Sequence, residues 1–298
     1  MTDQRVILEI RSQSMIIKQE LQTIISRFFG VDASRITDWR NLNGGNHIYS
    51  FYMNGKKYVI RKFRQPHPDT VAAEKTAYSS LAPLKVTDEL LYLDDAGIKI
   101  TCFIEGTHLS FNERDQEDSI NLLRNIHKNA PVIPYSYDIF ASIKYWASLC
   151  HDSNSQNLKI LMGYQPKIDK LNIKLDSMNI KAVLCHGDPC VCGNMLRLID
   201  GSLKIIDWEY AGMADPFQDL ALASVRQGFE KLDPFKSLER YLQRKPTDDE
   251  IFRLKTYVTL GAFELAAWQI NNLDAQEFTE WLSCEPYGFD LSLCDRSI

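Results

Sequence analysis

The chain has 298 residues, 45% of them hydrophobic and 24% charged, with 34 Lys and Arg against 39 Asp and Glu for a net charge of −5. That length can bury a core in one large domain or two lobes, so a short disulfide-held scaffold is excluded. With a pI near 5.7 and a mean hydropathy of −0.26, the composition argues against nucleic acid as the main partner and for a packed, soluble enzyme.

No run of 18 or more uncharged apolar residues occurs, and the first residues, Met1-Thr-Asp-Gln-Arg, hold no apolar signal core. A cytoplasmic location without membrane contact is therefore expected. Seven cysteines, an odd number without framework spacing, fit a reducing compartment. Cys190 and Cys192 lie near His186, but one Cys-x-Cys pair with one His lacks the second ligand pair of a structural zinc.

Apolar spacing predicts an amphipathic helix over 12–29, stopped by Gly30. Two β-rich runs, 48–53 and 57–61, flank Asn54-Gly55 and predict a hairpin. A helix over 69–81 and strands over 89–93 and 98–104 follow. From residue 112 the pattern is helical, over 119–127, 137–150 and 158–178. Short strands return at 182–185, 195–198 and 203–206, before helices over 216–228, 234–243 and 248–271. The change of character near Glu105-Gly106-Thr107 predicts a strand-rich lobe, residues 1–105, and a larger helical lobe, residues 106–298, with a ligand cleft between them.

The most informative stretch runs from His186-Gly187-Asp188 through Gly193-Asn194 to Asp207-Trp208-Glu209-Tyr210, then Asp215-Pro216 and Asp219-Leu220. An Asp on a turn, an Asn shortly after it and an Asp ending the next strand bring three oxygen ligands together. Phosphoryl transfer needs such a set, one carboxylate accepting the proton of the attacking hydroxyl and the other two groups holding Mg²⁺ against a triphosphate. His186 reads as a hydrogen-bonding residue that fixes the turn, because Asp188 already fits the base role.

The order His-x-Asp, Asn, Asp-Trp-Glu resembles the choline kinase and aminoglycoside phosphotransferase family, and within it the bacterial choline kinases of the lipopolysaccharide and teichoic-acid decoration type. The resemblance covers roughly residues 40–275. It implies an α+β, protein-kinase-like two-lobed fold with a small β-rich N-lobe and a large helical C-lobe. It makes Asp188 the catalytic base, Asn194 and Asp207 the Mg²⁺ ligands, and ATP the phosphoryl donor. Asn43, Gly44, Gly45 and Asn46 resemble the loop that covers the nucleotide. Arg61 stands where protein kinases carry the phosphate-contacting Lys, with Glu74 as its ion-pair partner, and Phe103 and Ile104 complete the nucleotide-binding candidates. Strand alternation puts Arg61 on the face of Val59 and leaves Lys62 on the other, the fallback for a register one residue off.

One departure stands out. Asn194 follows Asp188 by six positions where the family has five, and a positive φ at Gly193 is the expected way to absorb the extra residue.

For the acceptor, Tyr257, Gly261, Glu264 and Trp268 fall on one helical stripe and suggest an aromatic cage with a carboxylate, suited to a quaternary ammonium. The same stripe also reads as ordinary core. Trp208, Glu209 and Tyr210 are further acceptor candidates through their proximity to Asp207. The expected reaction is phosphorylation of a small amino alcohol, choline first, with ethanolamine, thiamine or an aminoglycoside as alternatives. A protein kinase is disfavoured by the lack of Asp-Phe-Gly and Ala-Pro-Glu signals. An inactive kinase-like binding module is the rival from another class, and the oligomeric state is left open.

Overall fold

The computed structural model describes residues 4–42, 45–63, 68–227 and 231–283, with side chains described from residue 16 and not at 68 or 280–283. Contacts divide the chain into two compact units, Met1–Val71 with Asp88–Ile104, and Ala72–Thr87 with Glu105–Ile298. The division does not follow chain order, since most of the helix expected over 69–81 belongs to the second unit.

The first unit opens with α1 (Gln4–Phe29) and continues through β1 (Thr37–Asn41), β2 (His47–Met53) and β3 (Lys56–Lys62). After α2 (Pro68–Leu81) the chain returns with β4 (Leu90–Leu93) and β5 (Ile98–Cys102), making a five-stranded sheet in the order β1-β2-β3-β5-β4. Met53 pairs with Lys56 across a two-residue turn in which Asn54 and Gly55 have φ of 50° and 75°. Positive φ at both positions matches the twist of the strands, which is why Asn-Gly closes this hairpin. Leu21 and Ile25 of α1 pack with Tyr49, Phe51, Tyr58, Ile60 and Ile100 from one face of the sheet.

The second unit begins its own sheet work with β6 (Gly106–His108) and then becomes helical: α3 (Glu113–Asn129), α4 (Ile139–Ser148), α5 (Gln156–Gly163) and α6 (Gln165–Ser177). One helix was expected over 158–178, and the structure corrects this to two. Pro166 lies in the first turn of α6, where its missing N–H costs nothing, whereas inside a continuous helix it would remove a hydrogen bond and clash with the preceding turn.

Next come β7 (Val183–Cys185), a single turn α7 (Val191–Asn194), β8 (Met195–Leu198), β9 (Leu203–Ile205) and β10 (Gly212–Ala214). The chain ends through α8 (Pro216–Gln227), α9 (Pro234–Leu242), α10 (Asp248–Trp268) and α11 (Ala275–Ser283). Strand β7 pairs with β10, and β8 lies between β6 and β9. Together these two small sheets hold the loop that follows β7. Thr247 and Glu250 form a reciprocal capping box at the start of α10, which packs along α8 and α4. Among the described residues no helix is long and apolar enough to cross a membrane.

Candidate active site

In the first unit, β3 sets the candidate phosphate contact. Lys62 donates to Glu20 of α1 at 2.6 Å, so this side chain belongs to the helix-covered face and alternation turns Arg61 to the other. Arg61 is 2% exposed, stacks its guanidinium on Phe63 at 3.9 Å and pairs across the ladder with Lys99. The register thus puts Arg61 and Lys62 on opposite faces, with Lys62 engaged by Glu20. Phe103 donates its backbone N–H to Lys57 O, and its ring carries the Lys57 ammonium at 3.5 Å; Phe103 and Ile104 are both half-buried. Gly45 is exposed and Asn46 half-buried, while Asn43 and Gly44 lie outside the described residues.

In the second unit, Glu74 is fully buried. The turn after β7 is held from beneath by Asp219 of α8. Its carboxylate accepts the backbone N–H groups of His186 at 2.8 Å and Gly187 at 2.9 Å, and His127 Nε2 lies 3.0 Å away. Burial alone would raise the Asp219 pKa, but the hydrogen bond and charge of His127 together with the His186 contacts hold it below the usual carboxylate range. His186 spends both ring nitrogens on backbone: Nε2 donates to Ile206 O at 2.9 Å, so Nδ1 is the nitrogen that accepts the Asp188 N–H at 3.2 Å. That fixes its tautomer and leaves it a structural residue, as its place in the motif suggested.

Gly187 has φ 80°, and a Cβ there would strike the backbone carbonyl of Tyr210. Only glycine lets the two loops approach so closely. The turn therefore brings Tyr210 to the side of Asp188.

The extra residue between Asp188 and Asn194 is absorbed differently from expectation. Gly193 is not among the positive-φ residues; instead α7 adds a helical turn, with Asn194 N–H donating to Cys190 O at 2.7 Å. A Cβ on Gly193 would meet Cys190 Sγ at 2.8 Å, so glycine is there for room and not for a left-handed backbone. The turn ties the two residues together: Asn194 Nδ2 donates to Asp188 O at 2.8 Å, leaving Oδ1 as its oxygen donor. Asp207 is half-buried and has φ 69°, an unusual backbone state that Asp tolerates better than most residues.

A basic residue that the sequence reading did not single out lies beside Asp188. Arg226, in the last turn of α8, places Nε 2.8 Å from Asp188 Oδ1 and donates from Nη2 to Glu264 Oε2 at 3.2 Å. Glu264 is 2% exposed, and its Oε1 accepts from Tyr137 and, at 2.5 Å, from Ser142. Burial works against the Arg226 charge, but Asp188 and Glu264 outweigh it and hold the guanidinium above its ordinary pKa. Burial first, then the carboxylates Glu264 and Glu209, pushes the phenols of Tyr137 and Tyr210 upward. The two rings meet edge to face at 6.3 Å.

The expected aromatic cage does not assemble from the α10 stripe. Tyr257 is buried beside Asp215, whose carboxylate Arg253 grips at 2.6 and 3.0 Å; two turns on, Glu264 faces Arg226, and Trp268 at the helix end is 47% exposed. The stripe shares a face, but along 21 residues of helix its members meet different partners. Trp208 is also corrected. It is fully buried, donates Nε1 to Ile205 O at 3.0 Å and packs on His186 at 4.6 Å, so it supports the loop and cannot line a pocket. Glu209 and Tyr210 are half-buried. Around Glu264 stand Tyr137, Ser142 and Arg226 instead, and the one hint in the sequence is that Arg226 follows Asp219 by seven positions, two helical turns on the same face.

The model of the phosphotransferase enzyme family matches residues 38–250. The LicA protein of Haemophilus influenzae is 26% identical over 182 residues, a match that spans 57% of this chain and 66%, just under two thirds, of that relative. Among solved structures, the choline kinase LicA from Streptococcus pneumoniae superposes with a TM-score of 0.69 at 20% identity, covering 90% of this chain and 99% of that one. A spectinomycin phosphotransferase in complex with ADP and spectinomycin gives a TM-score of 0.57 at 17% identity, covering 93% and 97%. These likenesses bear out the α+β, protein-kinase-like fold class, an antiparallel sheet in the N-terminal part followed by a mostly helical remainder.

Proposed function

The chain belongs to the phosphotransferase enzyme family, and we propose that it transfers the γ-phosphoryl group of ATP to the hydroxyl of a small amino alcohol, with choline as the acceptor. The observation that supports this reading most is the tie between the two loop residues: despite the extra residue, Asn194 donates to Asp188 O at 2.8 Å and keeps its carbonyl oxygen for a ligand. Asp188 would accept the proton of the acceptor hydroxyl, and its half-buried side chain is reachable for that task. Asn194 and Asp207 offer oxygen donors only, the donor set Mg²⁺ takes, and would hold it. Bound there, Mg²⁺ would neutralise charge on the phosphates. For the nucleotide we assign Arg61 as a second positive charge, together with Asn43, Gly44, Gly45, Asn46, Phe103 and Ile104 and, from the resemblance, Glu74. The LicA relatives support choline as the acceptor, and a cytoplasmic enzyme without a nucleic-acid partner fits the acidic composition.

A second acceptor, a primary amino alcohol such as ethanolamine, is favoured by one observation: Glu264 is surrounded by hydrogen-bond donors, not by a cage of aromatic rings. An aminoglycoside fits less well, because Arg226 neutralises one of the two carboxylates at the centre.

ADP release with Mg²⁺, ATP and a panel of choline, ethanolamine, thiamine and an aminoglycoside tests the proposal. Turnover with an amino alcohol is expected. A rise in melting temperature with ATP and Mg²⁺, without phosphorylation of any alcohol, would instead make the protein a nucleotide-binding module.

A further inference from the structure

Arg226 occupies an odd position. Its guanidinium bridges the proposed base, Asp188, and the buried Glu264, which also accepts from Tyr137, whose ring meets that of Tyr210. Carboxylates and aromatic rings around one cation are what an ammonium head group seeks. We propose that Arg226 is a specificity-determining residue, a resident cation in the slot that the acceptor's own ammonium takes, and that the acceptor binds by displacing it. The inference rests on the reading of the acceptor as a small amino alcohol.

Three features make Arg226 a displaceable occupant. First, the approach to Asp188 is close but misaligned: at 2.8 Å, neither Arg226 Nε nor Asp188 Oδ1 completes a hydrogen bond. Arg253 and Asp215 show the alternative in the same unit, with two aligned bonds of 2.6 and 3.0 Å. A pair that forgoes its charge-assisted hydrogen bond is held less firmly than a bidentate one. Second, Glu264 keeps Tyr137 and Ser142 on Oε1 when the arginine leaves, so only Oε2 changes partner. Third, an ammonium and a guanidinium sharing this slot would repel each other at contact distance, so entry of one favours exit of the other. The arginine sits on a long, flexible stem in the last turn of α8, with its side chain 22% exposed.

Displacement sets a preference among acceptors. A primary ammonium can donate to Glu264 Oε2 as the arginine does, whereas a trimethylammonium brings charge without a donor. A slot open for only a fraction of the time also weakens apparent affinity by that fraction, and removing its occupant lifts the penalty.

Arg226→Met tests this through the acceptor KM for choline and ethanolamine, the KM for ATP, and calorimetric titration with tetramethylammonium, which needs no turnover. The choline and ethanolamine KM values should both fall about tenfold, the ATP KM should not change, and tetramethylammonium should bind about tenfold more tightly. Arg226→Gln keeps a donor for Glu264, serves if the Met variant does not fold, and should move the acceptor KM values and the tetramethylammonium affinity in the same direction. A loss of kcat with unchanged acceptor KM and unchanged tetramethylammonium affinity would overturn the proposal. A wild-type enzyme that phosphorylates no amino alcohol would count against the functional reading alone, because the tetramethylammonium titration still decides whether Arg226 fills a cation slot.

Discussion

Asp219 Oδ1 accepts the backbone N–H of Gly187 at 2.9 Å while Oδ2 takes that of His186 at 2.8 Å, so one buried carboxylate of α8 carries the turn that presents Asp188. Asp219 is fully buried, and His127 is its charged or hydrogen-bonding partner. Asp219→Ala removes the acceptor for three donors at once. It should cost about 3–5 kcal/mol of stability, the penalty of breaking a buried polar pair from one side, as measured by urea unfolding. A loss below about 1 kcal/mol would mean that the turn is held by something else.

Asp188→Asn should behave in the opposite way. The backbone carbonyl of Asp188, not its side chain, receives Cys190 N–H and Asn194 Nδ2, and the side chain is a quarter exposed. The fold should therefore tolerate the change while phosphoryl transfer falls by about 10²–10⁴ with the loss of a proton acceptor. Circular dichroism and ADP release read the two effects separately. Undiminished turnover would remove Asp188 from the mechanism.

Much of this was legible in the chain itself. Asn54-Gly55 between β-rich runs announces the hairpin, and long amphipathic patterns announce α3, α8 and α10. Short strands without an apolar signal of their own escape such reading, although β7, β8 and β9 do not. Strands β6 and β10 have three residues each and exist only through partners distant in sequence, and β1 carries no apolar alternation because it is mostly exposed. The same contrast governs the site. Asp188, Asn194 and Asp207 lie close together in the chain, around the short elements α7, β8 and β9, so spacing groups them. Tyr137, Ser142, Arg226 and Glu264 come from a loop and three helices, and only packing of α10 against α4 and α8 brings them together. Helical spacing correctly found a shared face for Tyr257, Glu264 and Trp268 but could not say that each would meet a different neighbour.

Gly187 is a sharper test of the loop geometry. At φ 80°, any L side chain is strained by about 1–2 kcal/mol, and a Cβ would also meet the Tyr210 side chain at 2.6 Å as well as its carbonyl. With an overpacking cost of about 1–3 kcal/mol added, Gly187→Ala should destabilise by about 2–5 kcal/mol and impair turnover. Thermal unfolding with the wild-type midpoint would show that the two loops can separate freely.

The corrected aromatic assignment makes its own prediction. Tyr210 lies against Gly187 and edge-on to Tyr137, whereas Trp268 is half-exposed at the end of α10 and Trp208 is fully buried under His186. Tyr210→Ala should raise the acceptor KM about tenfold through the loss of one ring beside the cation. Trp268→Ala should leave that KM within about twofold, as expected of an exposed side chain away from the slot. Trp208→Phe should lower the melting temperature without selective loss of acceptor affinity, since it deletes a buried hydrogen bond to Ile205 O. A tenfold KM effect from Trp268→Ala would restore the α10 cage.

Acid should weaken the second unit through carboxylates that are ionised and paired in the fold. Asp115 is held at about 2 because Arg197 and Ser110 outweigh burial, and Arg244 with the Thr247 cap holds Glu250 at about 2. Asp219 is depressed in the same direction. A folded pKa below the unfolded one means that the native state binds fewer protons. The stabilisation is therefore complete above the ordinary values of 3.8 and 4.5 and is lost as pH falls from there toward 2. Melting temperature should be level near neutrality and drop steeply below about pH 4.5. Asp115→Asn combined with Glu250→Gln should lower the plateau and flatten the acid limb, because the protons those two groups take up on unfolding are gone. An acid limb as steep in the double variant as in the wild type would assign the acid sensitivity to other carboxylates.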